Sequence, residues 1–234
     1  MNKEEFVSKV KELGLELNDK QVKQFEDYAN FLIEYNKHTN ITAITDLESI
    51  YLKHFYDSLT IIKQDMVDIS NVNNLIDIGT GGGFPGMVLK IAYPNIDVTL
   101  LDSNNKKTKF LEELSKVLEL DVNIINDRSE EYALNHLETY DLVVSRAVAN
   151  LRVLTELCLP LVKVNGYFIS LKGNIEEELK EAESIITKLN GKVINIINLL
   201  LPGEEAVRNN AYIKKMDKTP KGYPRSYCKI KKGN

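Results

Sequence analysis

Leu75-Ile76-Asp77-Ile78-Gly79-Thr80-Gly81-Gly82-Gly83-Phe84-Pro85-Gly86 decides how the rest of the chain is read. Leu75–Ile78 is a short apolar run suited to a buried strand, and Pro85 suits the first turn of a helix. The glycines therefore fill a tight strand-to-helix turn. Glycine there permits positive φ and lets a ligand approach the backbone closely. In an open α/β sheet the turn after the first strand lies at the carboxyl end, where ligands bind.

Two cofactor classes compete for such a loop. Gly81, Gly83 and Gly86 satisfy G-x-G-x-x-G, a weak pattern by itself. In nicotinamide-binding folds the first glycine closely follows the strand, and here Gly79 takes that place. Counted from Gly79, the third glycine position holds Phe84. Asp77, two residues earlier, would oppose a pyrophosphate but can accept hydrogen bonds from an ammonium group. S-adenosyl-L-methionine carries an ammonium and a sulfonium, so Asp77 with Gly79, Gly81 and Gly83 favours that cofactor.

Beyond Asn73, short apolar runs alternate with amphipathic stretches. Strands are expected at 75–78, 98–101, 122–125, 142–144 and 167–171. Helices are expected at 86–92, 106–118, 130–135, 151–159 and 175–189. This is the grammar of a parallel sheet covered on both faces. Two more runs, 193–201 and 211–215, follow without a helix between them and predict an antiparallel pair at one sheet edge. The whole fits a seven-stranded, Rossmann-like class I methyltransferase fold.

Asp102 ends the second strand and reads as a ribose-binding acid, or as an aspartate opening a turn with Ser103 and Asn104. Asn126–Glu130 follows the third strand, where adenine lies in such folds. Ser129 there also reads as a helix cap followed by acids that suit the dipole.

Upstream, Phe6, Val10 and Leu13 recur at helical spacing up to Gly14. Asn18 or Asp19 then caps a longer helix with Val22, Phe25, Tyr28, Ala29, Leu32 and Ile33 on one stripe. A loop is expected around Thr39–Thr42 and a third helix over 47–63. The expected organisation is a helical arm at 1–65, a core at 66–216 and a basic tail at 217–234. The net charge of −4 hides an asymmetry: Lys214–Asn234 carries +7 and the other 213 residues −11. A basic arm on an acidic body suggests an anionic partner, or a loosely solvated terminus. No run of eighteen apolar residues exists, and Met1–Glu5 opens no secretion signal. Cys158 and Cys228 have neither disulfide nor metal spacing, and Cys158 reads as a buried hydrophobe. These features predict a cytoplasmic protein with no metal and no membrane association.

The fourth strand finishes as Val143-Val144-Ser145-Arg146-Ala147-Val148. An Asn/Asp-Pro-Pro-aromatic motif for exocyclic amines is absent, and neither cysteine sits where pyrimidine carbon methylation needs one. Guanine N-7 is a different target: its lone pair is free at neutral pH, so attack on a methyl needs alignment rather than a general base. Arg146 suits guanine recognition at O-6 or phosphate, or else a structural ion pair. Lys172 after the fifth strand, Arg208 before the last and Arg128 read as phosphate contacts or as surface cations. His54, Asp57 and Ser58 share one helical face by spacing. Adjacent turns of one helix do not converge as a hydrolase triad, so they read as docking the arm onto the sheet.

With these residues in view the chain resembles the bacterial 16S ribosomal RNA guanine N-7 methyltransferase G family, also called glucose-inhibited division protein B. The resemblance runs through Asn40–Ala43, Lys53–Ser58, Asp77–Gly86, Leu101–Ser103, Arg128–Glu130, Ser145–Ala147 and Leu171–Gly173, up to Arg225. It implies methyl transfer to a guanosine in the decoding-region loop of small-subunit RNA, with 16S RNA or the subunit as partner; separately, nothing in the sequence demands more than a monomer. It further implies cofactor contacts at Gly79, Phe84, Ser129, Glu130 and Arg146, with Asp102 near the ribose. Lys172 and Arg208 match basic positions tied to RNA or catalysis. The tail departs from the family: Tyr223-Pro224-Arg225 is followed by Ser226-Tyr227-Cys228, not by a Lys, Gly-Thr-Pro and Lys-Pro sequence.

Overall fold

The strands alternate their side chains between two hydrophobic cores, one on each face of a single sheet. Leu75, Leu142, Val144, Ile169 and Tyr212 face the first core, and Ile76, Val143, Phe168, Ala211 and Ile213 face the second. That alternation explains why the sequence shows largely apolar strands: both faces are covered, so a polar strand residue such as Asp77 or Ser145 is buried. The computed structural model describes residues 1–63, 67–146 and 149–233. Ala147, Val148 and the expected arm boundary at 65/66 lie outside them.

The sheet comprises β1 (Asn74–Ile78), β2 (Asp97–Leu101), β3 (Asn123–Ile125), β4 (Tyr140–Arg146), β5 (Val162–Lys172), β6 (Gly191–Leu200) and β7 (Val207–Lys215). Their order is β3-β2-β1-β4-β5-β7-β6, with β1–β5 parallel and β7 antiparallel to both β5 and β6. Strand order reverses between β1 and β4. The loops leaving these two strands diverge there and open a crevice at their carboxyl ends.

Helices α1 (Lys3–Glu12) and α2 (Asp19–Asn36) begin with capping boxes at Asn2 and Asn18, each closed by Glu5 or Gln21. Residues 47–63 form one helical run of changing pitch: α3 (Leu47–Ser49), a π-helical stretch (Ile50–Tyr56), α4 (Asp57–Leu59) and a 3-10 turn (Thr60–Lys63). The simple α-helix expected from the sequence is thus corrected. The wider π turn packs Tyr51 and Phe55 against Phe6 while His54 and Asp57 turn toward Arg146.

The first core holds these segments together with α5 (Gly86–Ala92) and α6 (Asn105–Val117). On the second lie α7 (Ser129–Ala133), α8 (Leu151–Cys158), α9 (Glu176–Lys188) and α10 (Tyr227–Lys232). Cys158 is buried in that second core and Cys228 is exposed.

The basic carboxyl segment is docked rather than loose. Lys215 is fully buried, with Nζ donating to Leu159 O at 3.0 Å and to Thr219 Oγ1 at 2.8 Å, and burial lowers its pKa to about 8. Arg225 forms a forked pair with the buried Glu156. The charge asymmetry remains, but two of its cations are spent on holding the chain end.

Candidate active site

The glycine loop is built as a shell around two carboxylates. Gly79, Gly81 and Gly83 all have positive φ, at 68°, 59° and 96°. Gly79 and Thr80 donate backbone N–H groups to Leu101 O at 2.8 and 3.1 Å, which ties the loop to the end of β2. Asp102 accepts from Gly81 N and Asn104 N at 2.9 Å each, so it joins the loop to the turn after β2. Asp102 opens the turn after β2 and also lines the crevice.

Asp77 is fully buried beneath the loop. Its Oδ2 accepts from Thr80 Oγ1 at 2.7 Å and from Gly86 N at 2.8 Å, while its Oδ1 is buried without a partner. Burial pushes its pKa up to about 6, against the pull of those two hydrogen bonds and of Arg146. Gly86 leaves no room for a side chain, since a Cβ there would lie 2.7 Å from Asp77 Cβ. Gly83 is equally constrained, 2.5 Å from the Tyr28 hydroxyl at its would-be Cβ. Asp77 and Gly83 thus brace the loop from behind and do not line the opening.

A cleft of about 500 Å³ opens above the loop. Gly79, Gly81, Phe84, Asp102, Ser129, Glu130 and Arg146, named from the sequence, all line it. Ser129 Oγ donates to Leu157 O at 2.8 Å, and Glu130 pairs with Arg128. Ser129 therefore fastens α7 to α8 instead of capping α7.

Phe84 carries the side wall. Its ring stacks on His54 at 4.2 Å and on Tyr28 at 5.5 Å, and the Arg146 guanidinium lies 5.0 Å from its centre. The Tyr28 hydroxyl donates to Gly82 O. An aromatic chain through Phe55, Phe25 and Phe6 continues this stack into the N-terminal helices. The helical arm is in this way part of the cleft's construction.

Arg146 leaves the end of β4 and is held on three sides. Nη1 donates to Lys53 O at 2.9 Å and to Asp57 Oδ2 at 3.2 Å, and Nη2 lies 3.1 Å from His54 Nδ1. Its structural ion pair is therefore real, and burial lowers its pKa. With Nδ1 facing an obligate donor, His54 keeps its ring proton on Nε2, 2.9 Å from Thr42 Oγ1. Burial and the Arg146 charge drive its pKa down to about 3, so the imidazole is neutral.

A second cleft, about 300 Å³, lies on the other side of this residue pair. His54 and Arg146 line both clefts, and Lys172 and Arg208 line only the second. Lys172 is paired with Glu178 at 2.7 Å, and Arg208 Nε lies 3.7 Å from Asp57 Oδ1. Three basic side chains from β4, β5 and β7 thus converge where the sequence showed only recurrence at strand ends. Reading the sequence did not find His54, Lys107 or Tyr227 as cleft residues, nor Tyr28 as the buried ring behind Phe84. Only His54 had a local signal, through its spacing to Asp57. Among the described residues no three His, Cys, Asp or Glu side chains gather as a metal site.

The cleft suits a cationic nucleoside ligand. It offers backbone approach at Gly79 and Gly81 and an acid at Asp102, and the buried Asp77 behind the loop adds a carboxylate outside the lining.

Solved structures similar to this chain share only its fold. A SAM-dependent O-methyltransferase from Thermotoga maritima aligns with TM-score 0.55 at 18% identity, covering 81% of this chain and 73% of that one. A ribosomal protein L11 methylase from Lactobacillus delbrueckii subsp. bulgaricus aligns with TM-score 0.52 at 15% identity, covering 74% and 81%. Sequence relatives are far nearer. The ribosomal RNA small subunit methyltransferase G of Bacillus subtilis is 47% identical over 96% of this chain and 95% of its own length. That of Lachnoclostridium phytofermentans is 47% identical over 94% and 92%. A family model described as rRNA small subunit methyltransferase G matches residues 21–206, and the chain belongs to that GidB family.

Proposed function

We propose that the chain transfers a methyl group from S-adenosyl-L-methionine to N-7 of a guanosine in 16S ribosomal RNA, in the decoding-region loop, acting as a cytoplasmic monomer. The observation that carries this reading is the shared wall: His54 and Arg146 separate a glycine-floored cleft from a basic one. A cationic donor suits the first cleft and an anionic acceptor the second, and transfer takes place where they meet.

The donor, when bound, supplies an electrophilic sulfonium methyl. Gly79 and Gly81 allow close backbone approach, Asp102 holds the ribose hydroxyls with its remaining lone pairs, and Phe84 excludes water from the transfer path. Asp57 holds Arg146 in place from behind. Arg146 orients the guanine through O-6, and Lys172 and Arg208 hold neighbouring phosphates.

Among the described residues no free base stands at the shared wall, which supports a ring nitrogen as acceptor. The His54 ring nitrogens are engaged by Arg146 and Thr42, and the Asp57 oxygens face two arginines. Guanine N-7 has no proton to remove, so alignment is sufficient.

The test is transfer of labelled methyl to small subunits from cells that lack this protein, with the modified base mapped. Label at a guanine N-7 in the decoding-region loop is the expected result. Labelling of free nucleosides alone would replace it with a small-molecule enzyme, and RNA binding without transfer would leave an assembly factor. No helix among the described residues is long and apolar enough to cross a membrane.

A further inference from the structure

The first cleft has one wall that comes from the chain's departure from its family. Tyr227, the first residue of α10, lines the cleft with Asp127, Arg128 and Ser129, which follow β3. Its ring lies 4.3 Å from the Arg128 guanidinium, and Arg128 in turn pairs with the buried Glu130. One end of the cleft is therefore closed by an aromatic ring, a cation and a carboxylate that hold one another.

A six-residue helix does not hold its own position. This one is fastened to α8 at several points. Ile230 is fully buried in the second core, and Arg152 donates from Nη1 to Ile230 O at 2.9 Å and from Nη2 to Lys231 O at 3.1 Å. Just upstream, Arg225 is anchored on Glu156. Tyr227 itself is 37% exposed, so its ring does not serve as core filling. A ring fixed from behind and open in front is a stacking platform for a flat ligand.

We propose that Tyr227 is a specificity-determining residue for the methyl donor, forming the outer aromatic wall against which the donor's purine ring packs. The proposal rests on reading this cleft as the donor site. It gives the carboxyl segment a role at the cofactor. The base at this end of the cleft is recognised partly by stacking, with Arg128 fixing the angle of the tyrosine ring.

The experiment is calorimetric titration of the full chain with S-adenosylhomocysteine and with 5′-methylthioadenosine, which lacks the amino-acid group. Tyr227→Leu keeps an apolar side chain and removes the ring, while Tyr227→Phe keeps the ring. The Leu variant should bind both ligands roughly tenfold more weakly, as loss of one base–aromatic stack implies. The Phe variant should match the parent chain, and the ligand-free melting temperature should be unchanged in both. Equal affinity of the Leu and Phe variants would overturn the proposal, as would a loss confined to S-adenosylhomocysteine. If the parent chain binds neither ligand, the reading of the cleft as donor site falls as well.

Discussion

Replacing Asp77 by Asn should stabilise the ligand-free protein increasingly as pH rises from 4 to 7.5. The side chain is isosteric, and its amide oxygen can keep the hydrogen bonds from Thr80 Oγ1 and Gly86 N. What changes is charge. The carboxyl sits fully buried with Oδ1 unpartnered, and burial raises its pKa from 3.8 to about 6. A raised folded-state value means that the native protein binds the extra proton between those limits. Its stabilising contribution is complete below the unfolded value and is lost as pH rises through the folded one. Each pH unit across that interval is worth about 1.4 kcal/mol, so the shift amounts to roughly 3 kcal/mol. Urea unfolding of both proteins from pH 4 to 7.5 measures it, because subtracting the variant removes every other titrating group. The difference should move by roughly 3 kcal/mol in the variant's favour, as the shifted carboxyl implies. A difference that stays flat over this range would refute the claim that burial controls this carboxylate. The same variant should bind S-adenosylhomocysteine more weakly, since it removes the buried negative charge behind the loop that favours a cationic ligand.

Other substitutions test the two clefts separately. Arg146→Ala should abolish methyl transfer and also lower stability by about 3 kcal/mol, because it leaves the buried Asp57 with only the longer contact to Arg208; chemical denaturation checks the second effect, and undiminished turnover would remove Arg146 from the mechanism. That stability cost comes from three contacts that no reading of β4 alone reveals. Lys172→Ala and Arg208→Ala should leave S-adenosylhomocysteine affinity intact while each lowers the salt dependence of RNA binding by about one phosphate contact; filter binding across a salt series reads this, and an unchanged slope would place both side chains away from RNA. Gly86→Ala should cost about 1–3 kcal/mol from overpacking against Leu100 and Asp77, whereas Gly173→Ala, which meets nothing within 4 Å, should be close to neutral; equal melting temperatures for the two would contradict the packing described for the loop.

Much of the architecture is legible in the amino-acid order because its causes are local. Helix α5 spans the residues expected, since Pro85 and the glycines before it mark its start on a scale of a few residues. The alternation of apolar runs with amphipathic stretches identifies a parallel sheet for the same reason. The pair β6 and β7 is legible through Pro202-Gly203 between two strands with no helix. The change of pitch in residues 47–63 is not, because it depends on aromatic packing against α1 and α2 and not on propensity.

The site divides along the same line. By itself the sequence determined the loop, the acids that follow it and the family, since each is a run of neighbouring residues with chemistry in its spacing. Only the tertiary structure decided that Asp77 turns inward, that Arg146 meets His54 across 92 residues, and that Tyr227 reaches the cleft. Those outcomes depend on which way a helix is rotated and where a distant segment docks. Such choices are set by the sum of packing over two cores, and no short stretch of residues encodes that sum.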